Sequence, residues 1–278
     1  MDLEERLRAA CADGNADKVR EILESGQDIP QKCLDKALGT AAFNDQPEIL
    51  KELLEYGAQI TELAVIGVSN SESAPMFQHL LNHGWDVNSI ASQNPALRYH
   101  LFLPAQERFE RRNKDWKNNA ICRLVVTSEE CTRLLLENGA DPNIPGRLGL
   151  TPLSTAIGHA TVAVMELLAA YGARLPSGRL GKDLLLSAIQ RKEGALGATK
   201  FLLEHGADPN LSTSRGPPLY LAIAMHKKEV VSCLLDYGVD VSMVYRGKAF
   251  TQLAEEMGQM DIVSLLAAKT DTASLPLG

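Results

Sequence analysis

One short phrase recurs along the chain and limits the folds that this sequence can adopt. Each copy has two adjacent aliphatic residues, two or three other residues, a glycine and then a polar turn. The glycines of the seven copies are Gly26, Gly57, Gly84, Gly139, Gly172, Gly206 and Gly238. Their spacings are 31, 27, 55, 33, 34 and 32 residues. A period near 33 residues is typical of a solenoid of stacked repeats.

The phrase predicts the end of an amphipathic helix, because a residue just past a helix often needs the positive φ that glycine adopts without penalty. Asp-Pro-Asn at 141–143 and 208–210 then provides turn residues. A second phrase, LTPLSTAIGHA at 150–160 and GPPLYLAIAMH at 216–226, predicts another helix in front of it. Its Thr151 can cap that helix, and Pro152 and Pro218 suit a first turn.

Together these phrases resemble the ankyrin repeat over about residues 3–267. The resemblance implies an all-α solenoid with two antiparallel helices per repeat, short β-hairpin-like loops, and a concave side lined by loop tips and first helices. We expect one continuous domain whose divergent first and last repeats act as caps. We assign about eight repeats to residues 3–29, 30–60, 61–88, 89–143, 144–175, 176–210, 211–242 and 243–269, and a C-terminal tail to 270–278.

Composition narrows the class of protein. Hydrophobic residues make up 45% of the chain and aromatic residues 5%, which predicts an aliphatic core. The net charge of -7 disfavours a general nucleic-acid binder. The five cysteines have no paired spacing and suit core positions in a reducing compartment. No signal peptide or membrane span is visible, so we predict an intracellular protein of the cytoplasm, with the nucleus left open, and no membrane partner.

Repeat four contains an insertion at 99–122, because its glycine follows the previous one by 55 residues. Residues 98–123 hold seven basic and three acidic side chains, a charge of +4. Phe109 and Trp116, seven residues apart, would share one helix face. The segment is interpreted as a partner-binding arm, as a longer helix packed on its neighbours, or, from its basic and aromatic character, as a contact for nucleic acid.

Candidate contact residues lie at predicted loop tips and at the ends of first helices. Five basic residues and one tyrosine are expected at loop tips, where they form a basic row that suits an acidic or extended peptide. They are Arg147, Arg179, Lys182, Arg215, Tyr245 and Arg246. Ordinary solubilising charge is the alternative interpretation. The predicted partner-binding residues are Phe109, Arg112, Trp116, Arg147, His159, Arg215, His226, Tyr245 and Arg246.

Motifs of common enzymes are missing from the sequence: it has no Gly-rich phosphate loop, HExxH or GxSxG. We therefore predict a non-catalytic module that binds another protein in the concave groove, with no catalytic residue, cofactor or metal. One alternative is an enzyme or small-molecule-binding protein in which 99–122 is a lid and His159, His226, His100 and Arg112 act as acid–base groups. Another is an adaptor in a transcriptional or ubiquitin-transfer assembly.

Overall fold

The computed structural model describes residues 2–88, 128–145, 150–176 and 178–273, with no account of the side chains of 178–182 and 270–273. The insertion at 99–122, with Phe109, Arg112 and Trp116, lies outside this part of the chain, as does Arg147. In the first half of the chain the helices are α1 (Leu3–Ala12), α2 (Ala16–Glu24), α3 (Gln31–Phe43), α4 (Pro47–Tyr56), α5 (Glu62–Ser71), α6 (Ala74–Asn82) and α7 (Glu129–Glu137).

The later elements follow the same order of paired helices. They are α8 (Pro152–His159), α9 (Val162–Ala170), α10 (Gly178–Gln190), α11 (Ala195–Glu204), α12 (Pro218–Ala224), α13 (Lys228–Asp236), β1 (Val244–Tyr245), β2 (Lys248–Ala249), α14 (Phe250–Glu256) and α15 (Met260–Ala273). In the described residues, seven of the predicted repeats therefore contain two helices, and repeat four contributes its second helix, α7.

The chain divides into two compact units. The first unit is Met1–Thr155 with Leu167–Arg174, and the second unit is Ala156–Glu166 with Leu175–Gly278. In the first unit α1, α3 and α5 pack in series, and α2, α4, α6 and α7 form a second row. In the second unit α10, α12 and α14 form one row and α11, α13 and α15 another. This stacking of helix pairs confirms the predicted all-α ankyrin fold.

The core lies between these rows and is largely aliphatic, as the composition predicts. Leu38, Leu53 and Leu234 have no exposed surface, and neither do the small residues Ala156 and Ala222 of the first helices. Phenylalanine contributes more than the composition indicated, because Phe77, Phe201 and Phe250 are the largest fully buried side chains.

Helix ends follow the recurring phrases. All seven phrase glycines have a positive φ, between 69° and 109°, which confirms their predicted conformation. The Thr151 hydroxyl accepts a hydrogen bond from the Ser154 amide at 3.3 Å, and α8 and α12 begin at Pro152 and Pro218. Both proline positions and the threonine cap were predicted correctly.

Boundaries differ from the predictions at three places. Helix α10 begins at Gly178, so Arg179 and Lys182 lie in its first turns and not at a loop tip. From the sequence of repeat three, residues 69–74 are expected to join its two helices, but α5 continues to Ser71 and the link is shorter. Helix α15 continues to Ala273, beyond the predicted end of repeat eight at 269. No glycine follows residue 269 closely, and helix-compatible residues continue α15 to Ala273.

Asparagine side chains at the turns join successive repeats. Asn143 donates from Nδ2 to the Gly172 carbonyl at 3.0 Å, and its Oδ1 accepts from the Arg174 amide at 2.9 Å. Asn88 makes the same pair of bonds to Gly139 and Asp141, at 2.9 and 2.8 Å. The asparagine that ends one repeat thus also hydrogen-bonds to backbone groups of the following repeat.

Replacement of Asn143 by alanine is expected to lower the free energy of unfolding by about 1–3 kcal/mol, because a backbone donor and a backbone acceptor both lose their partner. Urea unfolding of the full chain measures the loss. The control is Asn82→Ala, since the exposed Asn82 side chain accepts, among the described residues, from the Gln78 side chain on its own helix. Equal losses in both variants would contradict the bridging role.

Candidate functional site

Five of the predicted partner-binding residues lie in the described chain, and all five belong to the second unit. Arg215 lies at the tip of the loop before α12, where Thr213 and Gly216 form an isolated bridge. Tyr245 and Arg246 lie in the hairpin before α14, and His159 and His226 lie at the ends of α8 and α12. Arg215, Arg246 and both histidines are exposed, and Tyr245 is half-buried.

The hairpin at residues 244–249 is tightly defined. Strands β1 and β2 pair antiparallel with Tyr245 opposite Lys248, which leaves Arg246 and Gly247 as a two-residue turn. Their φ values are 54° and 76°. Positive φ at both central residues is the pattern of the type I′ turn, whose twist matches that of the paired strands. The predicted β-hairpin-like loop is therefore a true hairpin here.

Two tyrosines and an arginine meet beside this turn, and we name Tyr220, Tyr245 and Arg246 the tyrosine–arginine cluster. The rings of Tyr220 and Tyr245 have centroids 4.4 Å apart and are tilted by 45°. The Arg246 guanidinium carbon lies 5.6 Å from the Tyr220 centroid and 5.3 Å from the Tyr245 centroid. Both distances fall within the range of cation–π attraction. Tyr220 was missing from the predicted site residues.

Gly216 makes room for this cluster. A Cβ at this position would lie 2.9 Å from Cζ of Tyr245 and 3.2 Å from Cδ1 of Tyr220, closer than real Cβ contacts allow in the first case. Its φ of 102° is also a conformation that glycine adopts readily. A glycine in the loop of repeat seven therefore sets the place of a tyrosine from repeat eight.

Other loop-tip cations are neutralised inside the chain. The Arg215 guanidinium donates to the Asp183 carboxylate at 3.0 Å and to Oε1 of Gln190 at 2.9 Å, both on α10. Lys248 contacts the Glu256 carboxylate at 2.6 Å. Arg246, in contrast, pairs with no carboxylate among the residues that the structure describes. Of the basic residues predicted for partner contact at these two tips, Arg246 is the one that keeps its charge unpaired.

A second polar feature of the second unit joins the ends of first helices. Arg191 donates to the carbonyls of Ile157 and Ala160, at 3.1 and 2.6 Å. Lys227 in turn donates to the Arg191 carbonyl, and Gln259 donates to that of Ile223 at 2.8 Å. Burial lowers the pKa of Arg191. Burial, followed by the nearby Arg191 charge, lowers the pKa of Lys227.

These side chains satisfy carbonyls that a helix end leaves without an intrahelical partner. The sequence QRKEGALG at 190–197, which includes Arg191, is interpreted as a small, tolerated surface insertion that lengthens the turn between two helices. The structural role of Arg191 was therefore missed, although a donor side chain follows the first helix in three successive repeats, at Arg191, Lys227 and Gln259.

In the described part of the chain, His159 and His226 are not arranged as an acid–base pair. Neither His159 nor His226 hydrogen-bonds through its ring to another described residue, and His226 has a positive φ of 56°. His83 and His205, by contrast, bond to the carbonyls of His79 and Phe201 at 2.8 and 2.7 Å. These two side chains therefore contact carbonyls near the C-terminal ends of α6 and α11. Over the described ranges, no group of three or more His, Cys, Asp or Glu residues is placed to hold a metal ion.

The cysteines behave as core residues where they are described. Cys11, Cys131 and Cys233 are buried, and Cys33 is half-buried. Burial raises the pKa of the Cys11 thiol to about 12, which keeps it protonated and unreactive at neutral pH. In the same part of the chain, every helix is too short or too polar to cross a membrane.

The first unit has an open depression of about 470 Å³ beside the turns of repeats two and three. Leu54, Ile60, His83, Trp85 and Asp86 are among its lining residues. The Trp85 ring lies 5.8 Å from that of Phe77, centroid to centroid. No residue of this depression was predicted as a contact residue.

Comparison with known proteins agrees with this architecture. A family model described as ankyrin repeats in three copies matches residues 120–213 and 185–274, more than half of the chain. The chain belongs to the ankyrin-repeat family. It is 26% identical over 236 residues to the human ankyrin repeat and SOCS box protein 16, a match that covers 73% of this chain and 52% of the relative.

Two further relatives match shorter stretches of this ankyrin-repeat chain. Ankyrin repeat, SAM and basic leucine zipper domain-containing protein 1 of Dasypus novemcinctus is 28% identical over 56% of this chain and 32% of its own length. Putative ankyrin repeat protein L86 of Acanthamoeba polyphaga mimivirus is 30% identical over 37% of this chain and 22% of its own. The chain thus spans about half or less of the length of the relatives it matches.

Proposed function

We propose that the chain is a non-catalytic protein-interaction module whose binding surface includes the loop tips of the second unit. Ankyrin repeats are in general protein–protein interaction modules, which supports this function class. The observation that carries the proposal for this chain is the tyrosine–arginine cluster, an accessible group of the residue types that dominate interface energetics. We propose that the partner is another protein and that the two bind inside the cell. The predicted concave groove stays a prediction.

The enzyme alternative has less support. General acid–base catalysis needs a titratable group held within reach of a reacting atom, commonly by a second hydrogen-bonded group. His159 and His226 have no such orienting partner in the described chain, and His100 and Arg112 lie outside it. The observed depression at Trp85 belongs to the first unit and contains none of these residues.

An adaptor role is a second candidate, favoured by the names of two relatives. One carries a SOCS box and the other SAM and basic leucine zipper domains beside their ankyrin repeats. By this proposal the present chain supplies the recognition surface of an assembly. It uses the same binding surface as the first proposal, so the same experiment tests both.

Affinity capture from an extract of the native cells tests the proposed surface. The double variant Tyr245→Ala/Arg246→Ala is expected to capture about one-tenth or less of the partner that wild type captures. Truncation of a few central interface residues commonly removes most of the binding energy. The control is Tyr237→Ala, which removes an exposed tyrosine of the same unit at the C-terminal end of α13.

A variant lacking residues 103–119 reports separately on the insertion. Partners that are lost with that deletion but kept by Tyr245→Ala/Arg246→Ala would move the binding surface to the insertion. If wild type and all variants capture the same proteins in equal amounts, the loop-tip surface is the wrong site. If wild type enriches no protein, the interaction-module proposal fails.

A further inference from the structure

We infer that the tyrosine–arginine cluster binds the carboxylate of an acidic side chain in an extended segment of the partner, next to an apolar residue of that segment. This inference rests on the proposed function and names the chemistry of its partner. It depends on three features of the cluster: its unpaired charge, its fixed geometry and its apolar surroundings.

Charge is the first step. Asp183 already pairs with Arg215 and Glu256 with Lys248, so the two neighbouring cations have little charge to offer a ligand. Arg246 has no such partner in the described chain and presents one full positive charge. A single guanidinium matches a carboxylate, which carries one negative charge and accepts two parallel N–H bonds. A phosphate group, by contrast, is commonly recognised by a cluster of arginines.

Geometry is the second step. Arg246 lies in a two-residue turn with both central φ values positive, and its guanidinium lies against two aromatic rings. The turn fixes the backbone and the rings restrict the side chain, so less conformational entropy is lost when a ligand binds. Neither tyrosine hydroxyl is hydrogen-bonded to a described residue, which leaves two further donors beside the guanidinium.

The surroundings of the cluster are the third step. The rings of Tyr220 and Tyr245 are half-buried, so each ring presents part of its apolar surface beside the Arg246 guanidinium. An aliphatic or aromatic residue beside the acidic one can cover this apolar surface and exclude water from the ion pair. Partial removal of water strengthens the attraction between the two charges. The expected ligand is therefore an acidic residue with an apolar neighbour.

Selection from a display library of random twelve-residue peptides, on the full chain, tests this specificity. Peptides selected by wild type are expected to share an Asp or Glu at one position, flanked by an apolar residue. Affinity for the best peptide should fall at least about tenfold in Arg246→Gln, as loss of one partner of a desolvated charge pair does. Glu→Gln in the peptide should cause a similar loss, and the two changes together should add little.

The matched control is Arg174→Gln, which removes another exposed arginine and should leave affinity unchanged. Tyr245→Phe keeps the ring and the fold, and it measures what the hydroxyl contributes. Urea unfolding of Arg246→Gln should match wild type, since the changed side chain is exposed.

Four results would overturn the inference. They are selected peptides without an acidic position, equal affinity for Arg246→Gln, tighter binding when phosphoserine replaces the peptide's acidic residue, and no selected peptide at all. Peptides that bind wild type but depend on His226 or another surface residue, not on Arg246, would overturn the inference and leave the interaction module standing. A wild-type chain that selects no peptide and captures no protein would overturn both.

Discussion

Truncation of Leu234 to alanine is expected to lower the free energy of unfolding by about 2–5 kcal/mol, the usual cost of deleting a buried leucine side chain. Leu234 lies on α13 and has no exposed surface. Helix α13 packs against α11, α12 and α15, so a cavity there weakens contacts within its own repeat and with both neighbours. In a stack of repeats, stability is close to the sum of the stabilities of the repeats and of the interfaces between neighbours. One cavity at Leu234 therefore lowers the stability of its own repeat and of both interfaces.

The matched control for this prediction is Leu196→Ala. Leu196 lies on α11 of the same unit and is 42% exposed, so its truncation removes less buried surface and leaves no closed cavity. Urea unfolding followed by circular dichroism gives both values. A loss below about 0.5 kcal/mol for Leu234→Ala, or equal losses for the two leucines, would show that Leu234 is not a core residue.

Replacement of Arg191 by methionine is expected to cost about 2–3 kcal/mol, in the range of hydrogen bonds to charged groups. The methionine retains an apolar stem but removes the donors to the carbonyls of Ile157 and Ala160. Nε of Arg191 also donates to the backbone carbonyl of Glu193 at 3.1 Å, which orders the turn between α10 and α11. The carbonyls of Ile157 and Ala160 are partly shielded from water, so solvent poorly replaces the hydrogen bonds that they lose.

Lys192→Met is the control, because Lys192 is an exposed neighbour in the same turn. It is expected to change stability by less than about 0.5 kcal/mol, as surface substitutions do. If Arg191→Met were as stable as this control, the helix-end bonds would contribute nothing measurable. If Arg191→Met were more stable than wild type, the cost of burying the guanidinium would exceed the gain from its bonds.

Local rules predicted many of the helix ends. The phrase glycines, the cap at Thr151 and the prolines at 152 and 218 act within a few residues of where they stand, so the sequence reveals them directly. The resemblance to the ankyrin repeat then implied the stacked helix pairs. The start of α10 was misplaced because arginine, leucine and lysine are compatible with both a loop and a helix.

The candidate site was predicted only in part. Tyr245 and Arg246 were found because the repeat pattern places them at the loop tip before repeat eight. Tyr220 was missed because its position within an apolar helical run, LYLAIA, is equally typical of a core residue. Its contact with Tyr245 exists only once repeats seven and eight are stacked. Arg191 was missed for the same reason, since its acceptors are backbone carbonyls more than thirty residues away.

Through the asparagine bridges, three backbone amides donate hydrogen bonds to side-chain oxygens of the preceding repeat. These are the amides of Asp141, Arg174 and Asp240, bonded to Asn88, Asn143 and Asn210 at 2.9 Å or less. Helical amides exchange with solvent deuterium when their own helix opens. These three exchange when one particular junction between neighbours separates, so each amide reports how often that junction opens while the helices on either side remain folded.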